Sequence, residues 1–554
     1  MIKIEITCEN KPIKSFSFSK AITINEVMNQ TTLPFCKIVA YKINNEYVTG
    51  TKLINQNTCL EVVPLDTPAG YRIYQDSVIF LFNMAFYLLY GTKYIMTMQH
   101  SIGDGVYCEL ESSKENIEES DLKKITEKMN ELAKSKLPIE QINLSIEEAS
   151  KYFYFFKRYD ILKNLNFGHK QTINVYRCEN YYDYYHRPLV AHTGLLDVFE
   201  LCQYSKGLVI RFPKRCTCEI DGKFVMPKML FSVHQEHDKW LNILKVQNIG
   251  DINKLVENYQ ISEFIQTEEA LHEKKIAFLA DQILVRNKVK VVLIAGPSSS
   301  GKTTFAKRLS VQLRVNGLSP LIIGLDDYFL PRIQTPRKED GDYDYETIHA
   351  LDLPLLNRDL LALINGEEVT LPRYNFISGL REISDEKLKM RADNVLILEG
   401  IHGINDMLTA EIPVENKLKI YISALNQLNI DLHNRIATTD FRKLRRIARD
   451  FRYRGYTAEA TLMRWDAVRE GEDKNIFPFQ ENVDFMFNSS LTYEIAVLKK
   501  HVLPQLASIN KYSLVYNAAQ DLISLLEHVK DIQDEFVPIN SILREFTYGS
   551  VFKY

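Results

Sequence analysis

The sequence predicts a multidomain α/β protein whose second half is built on a parallel sheet. Three observations carry that reading. A short branched apolar run, Val291 to Ala295, leads into G-P-S-S-S-G-K-T from Gly296 to Thr303, and then into an amphipathic helical pattern. From Lys288 onward strand-like and helix-like patterns alternate, as in a parallel sheet covered on both faces. Ahead of them, residues 1–63 alternate at the period of half-buried strands, with turn residues between the runs.

The length of 554 residues implies about three or four domains. With 45% hydrophobic and 25% charged residues the composition is that of a soluble globular protein. A net charge of −3 excludes a globally basic nucleic-acid binder and leaves only a local patch open. No apolar run reaches the roughly 18 residues of a membrane span. The start of the chain lacks the apolar core of a signal peptide. The expectation is a cytoplasmic protein without a membrane partner. All eight cysteines precede Glu219 and are expected to be free thiols in a reducing compartment.

Taken in order, Ile2, Ile4 and Ile6 form one strand, and Phe16 and Phe18 mark its partner. A short helix is predicted at Ile24 to Gln30, a turn at Asn44-Asn45 and a closing strand at Cys59 to Leu65. Strand, strand, helix, strand, strand predicts a β-grasp (ubiquitin-like) domain over 1–63. An α+β domain over 64–225 follows, then a helical connector over 226–285. The phosphate-loop domain covers 286–510, and a C-terminal helical extension 511–554. Asn116 to Glu148, rich in Glu and Lys with helically spaced apolar residues, predicts a solvated helix pair. The aromatic clusters at Tyr152 to Phe156 and Tyr181 to Tyr185 lack interleaved cations and read as packing. Cys216-Thr217-Cys218 and the pair His234 and His237 complete no zinc pattern. His186 and His192 read as polar loop residues.

The chemistry sits in the second half. Glycines let the loop backbone curl so that successive N–H groups point into one concavity, and the following helix adds its positive end. Lys302 is placed to reach the β- and γ-phosphates of a triphosphate, and the Thr303 hydroxyl to bind Mg²⁺. Asp326 and Asp327 follow the second predicted strand, where a carboxylate can accept a substrate proton or hold magnesium. Glu399 ends the third strand, as a Mg²⁺ contact requires. The window Arg435 to Arg454 carries eight basic residues against two acids, with Arg442, Arg445, Arg446 and Arg449 on one helical face. Beside a phosphate loop such a face reads as a lid on the polyphosphate.

Together these residues resemble the uridine kinase and phosphoribulokinase family of phosphate-loop (P-loop NTPase fold) kinases, over about 200 residues and several motifs in order. The loop fits the family's G-x-S-x-S-G-K-T, which implies ATP contacts from Gly296, Ser298, Ser300, Gly301, Lys302, Thr303 and Thr304. L-D-D-Y-F from Leu325 fits D-S-F-Y, which makes Asp326 the implied catalytic base and a metal neighbour, with Asp327 as an alternative. D-Y-E-T-I-H-A-L-D from Asp344 aligns with N-F-D-H-P-D-A-F-D, which places Glu346, or nearby Asp344, at the ribose hydroxyls. L-P-R-Y-N-F-I-S-G-L-R from Leu371 resembles V-P-x-Y-D-F-x-x-H-x-R, so Tyr374, Phe376 and Arg381 match substrate-pocket positions. D-F-R-K-L-R-R-I-A-R-D from Asp440 matches D-T-R-L-x-R-R-I-x-R-D. That match puts Arg442 near substrate, with Arg445, Arg446 (implied catalytic) and Arg449 in the lid. The family's base-contacting histidine falls at Gly379, and a second family histidine at Thr347.

The front of the chain resembles another family. A-Y-K-I-N-N-E-Y-V and L-E-V-V-P-L-D-T-P-A-G are similar to the ubiquitin-like TGS module of threonyl-tRNA synthetases. H-S-I-G-D-G-V-Y-C-E-L from His100 and D-Y-Y-H-R-P-L-V-A-H-T-G from Asp183 resemble the second N-terminal domain of those enzymes. The family's metal-site positions read Asp76, Phe80, Tyr185 and Leu189 here, so that site is expected to be absent.

The resemblances imply an ATP-dependent, Mg²⁺-requiring kinase for the 5′-hydroxyl of uridine or cytidine. A kinase for another nucleoside or a sugar phosphate stays open, because of Gly379. So does a nucleotide-switched RNA-binding regulator, because of the front half. Family relatives include homo-oligomers, and no interface is legible in this chain.

Overall fold

The computed structural model describes the chain apart from residues 10, 112–115, 166–170, 216, 339–340, 342, 376–377, 427 and 554; for 383–386 it describes the backbone alone. The first sheet runs in the order Lys11–Phe18, Ile2–Cys8, Thr58–Pro64, Ile38–Ile43, Glu46–Val48. Ile2–Cys8 and Thr58–Pro64 pair in parallel, the other neighbours antiparallel. Asn44 and Asn45 turn the last hairpin with φ of 53° and 61°, the left-handed pair a two-residue hairpin loop demands. The helix Ile24–Asn29 closes the core through Ile24 and Val27 against Ile4, Ile6, Leu60 and Val62.

The next unit centres on the helix Pro68–Tyr90, capped by the Thr67 hydroxyl, which accepts from Gly70 N–H at 3.1 Å. It packs beside a four-stranded antiparallel sheet, Glu200–Tyr204, Gly207–Arg211, Gly105–Leu110, Met96–Ile102. A three-stranded sheet, Glu140–Ser145, Thr172–Cys178 and Tyr181–Asp183, lies alongside. The helix pair expected over Asn116 to Glu148 is therefore one helix, Glu119–Ser135, followed by a strand. Lys136 ends the helix in the left-handed region at φ 51°, and Gln141, Asn143 and Ser145 then alternate with Ile142 and Leu144 at the strand period. The aromatic clusters pack together, Tyr152 with Phe156 at 4.3 Å and Phe80 with Tyr181 at 5.3 Å between ring centres. Cys36 and Cys218, expected as thiols, are joined by a disulfide between the first two units. His234 stacks on His100 with ring centres 3.7 Å apart.

The third sheet is wholly parallel, in the order Ser319–Gly324, Asn394–Glu399, Val291–Ala295, Lys417–Ser423, Phe485–Asn488. Val291–Ala295 is buried throughout. Its side chains alternate: Val292 and Ile294 enter one core layer, Val291 and Leu293 the other. The first layer also takes Ile265 and Ile276 from the helix Ile261–Val285, Phe305 and Leu309 from the phosphate-loop helix, and Ile542, Leu543 and Phe546 from the C-terminus. Connector and C-terminal segment thus share one core with the sheet. The hairpin Glu368–Asn375 and Leu380–Lys389 stands beside it.

Buried ions join the front of the chain to the back. Arg158 contacts Asp160 at 2.8 Å, Asp183 at 2.8 Å and Asp431 at 3.1 Å. Arg72 pairs with Asp440 at 2.7 Å, and Arg187 with Asp76 at 2.7 Å and Asp440 at 3.4 Å. Among the described residues no helix is long and apolar enough to cross a membrane.

Candidate functional site

The loop sits at the carboxyl end of the central strand, and two of its glycines are dictated sterically. A Cβ on Gly296 would stand 1.9 Å from the Ile422 carbonyl oxygen. Gly301 has φ of +85° and leads into the helix Lys302–Val315, with Ile542 Cγ2 only 2.8 Å from where its Cβ would be. Lys302 Nζ donates to the Pro297 carbonyl at 3.3 Å. The Thr303 hydroxyl hydrogen-bonds Glu399.

Three carboxylates, Asp326, Glu399 and Glu545, lie around the start of the loop's helix. Asp326 lies in the turn Leu325–Tyr328 that leaves the strand Ser319–Gly324. The surrounding protein pushes its pKa up, Lys302 opposes that, and Asp327 adds to it. Burial lifts Glu399 to about 7, against the pull of Lys302 and with the help of Asp326 and Glu545. Glu545 accepts from Thr304 N–H at 3.2 Å and from the Thr304 hydroxyl at 2.7 Å. Among the described residues no three His, Cys, Asp or Glu side chains converge closely enough to hold a metal unaided. Hydroxyl and carboxylate oxygens here match a hard cation that keeps several waters and shares a substrate's phosphates.

The arginine helix, Thr438–Tyr453, divides its cations between two tasks. Arg446 donates to the Ser298 hydroxyl at 2.8 Å, is braced by Asp450 at 3.1 Å and acts electrostatically on Glu346. Arg449 lies 3.9 Å from Glu545. Arg445, expected in the lid, is instead fully buried and turned into the core. Its guanidinium is shared by Glu494, Ser489 and the Ser299 carbonyl. Arg442, expected at substrate, is likewise buried; it pairs with Glu472 and donates to the Ser298 carbonyl at 2.9 Å. These two arginines shape the loop from behind, because an unpaired guanidinium there would carry a large desolvation penalty.

On the acceptor side, Asp344 accepts from Glu346 N–H at 3.2 Å. Burial and Glu472 push the Glu346 carboxyl up in pKa, while Arg446 and Lys338 pull it down. Tyr374 is buried, with its ring centre 5.5 Å from that of Phe329, and its N–H donates to Asp327 at 3.3 Å. Arg381, expected at substrate, pairs with Asp352 at 2.7 Å, and Asp352 caps the helix Leu353–Ile364. Phe376 lies outside the described residues. Gly379 adopts φ of +70°, and the space a Cβ would need is taken by Arg332, whose Nε would be 2.7 Å away. Arg332 Nε donates to the Tyr345 hydroxyl at 3.2 Å.

Glu472, Glu545 and Arg332 were missed in the sequence. Glu472 accepts from Ser298 N–H at 2.8 Å. None of the three stands in a motif; basic Arg442 with acidic Glu472 on a later helix was the only available cue.

Fold and site define a phosphate-loop phosphotransferase. The family model for "Phosphoribulokinase / Uridine kinase family" matches residues 291–496. A uridine kinase of Borrelia duttonii is 30% identical over 208 residues, 36% of this chain and 85% of the relative. One of Deinococcus deserti is 29% identical over 175 residues, covering 32% and 75%. The chain belongs to the phosphoribulokinase and uridine kinase family. Among solved structures, a possible uridine kinase of Bacillus stearothermophilus is 20% identical, covering 39% of this chain and 98% of that one, with a TM-score of 0.26.

Proposed function

We propose that the chain is an ATP-dependent uridine kinase that phosphorylates the nucleoside 5′-hydroxyl. The observation that carries this is the convergence of Lys302, Thr303, Asp326 and Glu399 at the carboxyl ends of three neighbouring strands, in a chain 30% identical over 208 residues to a uridine kinase. Lys302 and the loop N–H groups hold the β- and γ-phosphates of ATP. Thr303 and Glu399, with Asp326 beside them, are the residues that would hold Mg²⁺, which neutralises charge between those phosphates. Asp326 accepts the proton of the attacking hydroxyl; its raised pKa makes it a better base than an ordinary carboxylate. Arg446 spans the loop and the Glu346 side of the cleft, where developing charge needs stabilisation. Glu346, with Asp344 beside it, and Tyr374 supply the nucleoside contacts.

The same reading extends to the front half. We infer that residues 1–63 form a β-grasp (TGS-like) module, supported by the parallel pairing of its first and last strands. Residues 64–225 read as a synthetase-like domain whose metal site is gone. In support, Asp76 pairs with Arg187, while Phe80 packs on Tyr185 at 5.9 Å and Leu189 is buried. We infer a cytoplasmic location, in keeping with the absence of a membrane-spanning helix among the described residues.

A phosphorylation panel with ATP, Mg²⁺ and uridine, cytidine, purine nucleosides and sugar phosphates tests the function. Uridine giving the highest kcat/KM supports it; a sugar phosphate doing so, or no acceptor being phosphorylated, overturns it.

A further inference from the structure

The C-terminal residues reach the phosphate loop through a built contact. Ser541, Ile542, Leu543, Phe546 and Thr547 are buried, and Ile542 lies against Gly301. Arg544 fastens the segment by donating to the carbonyls of Asp534 at 2.8 Å and Val537 at 2.5 Å. The backbone is thus fixed beside the loop, and it presents one charged side chain to the nucleotide site. Glu545, itself 7% exposed, takes both Thr304 donors, N–H and hydroxyl.

Those donors lie in the first turn of the helix Lys302–Val315, the place where backbone N–H groups and the helix dipole favour an anion. A carboxylate there satisfies them in the absence of a phosphate. It also excludes one, because both anions need the same two donors. Arg449 Nη1 stands 3.9 Å from the other carboxylate oxygen. The side chain therefore has a second cationic partner to turn to without becoming an unpaired buried charge.

Resting on the kinase reading above, we propose that Glu545 is a resident competitor for the donor nucleotide. It holds the Thr304 donors in the empty site, yields them to a nucleotide phosphate by turning toward Arg449, and so sets the affinity for ATP. Movement is confined to the side chain, since the segment that carries it belongs to the core. The role is one of affinity, not of chemistry, so it separates KM from kcat. The alternative, that Glu545 only fastens the C-terminus, makes the opposite prediction for nucleotide binding.

The test is Glu545→Gln in the full chain, with the Kd for ATP measured by calorimetry without acceptor, and kcat and KM measured at saturating uridine. Replacing a charge-assisted contact with a neutral one is expected to tighten ATP binding about tenfold, with kcat within about threefold of wild type. If the glutamine variant does not fold, Glu545→Asp, one methylene shorter, is expected to tighten binding in the same sense. ATP binding that is unchanged or weaker in a folded variant overturns the inference alone. If neither wild type nor variant binds ATP, the kinase reading falls and the inference with it.

Discussion

The guanidinium of Arg446 donates to the Ser298 hydroxyl at 2.8 Å, while Arg445, the residue before it, is fully buried against Glu494. Adjacent arginines on one helix point some 100° apart, so Arg446 meets the loop's Ser298 side chain from the cleft, and Arg445 braces the Ser299 carbonyl from within the core. Arg446→Ala is expected to lower kcat/KM by about a hundredfold or more, with little change in stability. Arg445→Met leaves Glu494 buried without its partner and is expected to cost about 3–5 kcal/mol of stability. Steady-state kinetics and urea unfolding of the two variants separate these roles. Equal effects of both on stability would contradict the division.

Lys302 and Asp326 are the two charges whose loss should stop chemistry without unfolding the chain. Lys302 makes one contact with a carbonyl, and Asp326 stands in a solvent-reaching turn. Lys302→Ala and Asp326→Asn are each expected to reduce turnover by orders of magnitude, with far-ultraviolet dichroism unchanged. Near-normal turnover in either purified variant would remove that residue from the mechanism.

The motif residues were legible because their partners are near in sequence: the loop, its strand and its helix lie within 25 residues, Val291 to Val315. The parallel sheet was legible too, since its central strand Val291–Ala295, buried on both faces, reads as an uninterrupted apolar run. What stayed hidden was long-range. Glu545 meets Thr304 across 241 residues and Glu472 meets Ser298 across 174. A lone glutamate on a helix or turn shows nothing of the donor it will find. Arg442 and Arg445 share the basic stripe of Arg446, and only the packed core tells a buried cation from a functional one. The hairpin Glu368–Asn375 and Leu380–Lys389 escaped detection because its charged residues mask the two-residue alternation.

Glu399 gives a pH dependence with a definite sign. Burial raises its pKa to about 7, so the carboxylate needed beside Thr303 forms only as pH rises through that value. Activity is expected to climb on an acid limb centred near pH 7, read from kcat/KM between pH 5 and 9. Stability runs the other way. An acid whose folded pKa lies above its unfolded one weakens the fold as pH rises between the two values, and the deficit is constant above both. Glu399→Gln should therefore be inactive, yet should gain Tm over wild type as pH rises toward 7 and keep that gain at pH 8. A Tm difference that shrinks over that range would reverse the assignment.

Arg158 holds the front of the chain to the phosphotransferase half, and its removal is expected to affect both. The guanidinium is 5% exposed and contacts Asp160 and Asp183 from one half and Asp431 from the other. His433 also reaches Asp183, at 2.5 Å. Substituting Arg158 by Met leaves three buried carboxylates facing one histidine. Breaking a buried pair in this way costs about 3–5 kcal/mol, and here three pairs share the residue. Arg158→Met is expected to unfold in two calorimetric steps in place of a coupled one, the front half melting first. Its loss should also lower kinase activity, because Asp431 and His433 lead directly into the arginine helix at Thr438. A chain starting at residue 226 would expose Asp431, stripped of Arg158, together with Asp440, stripped of Arg72 and Arg187, and is expected to be poorly soluble. A soluble, fully active fragment would show the two halves to be independent, and the ion cluster to be a tether without consequence for catalysis.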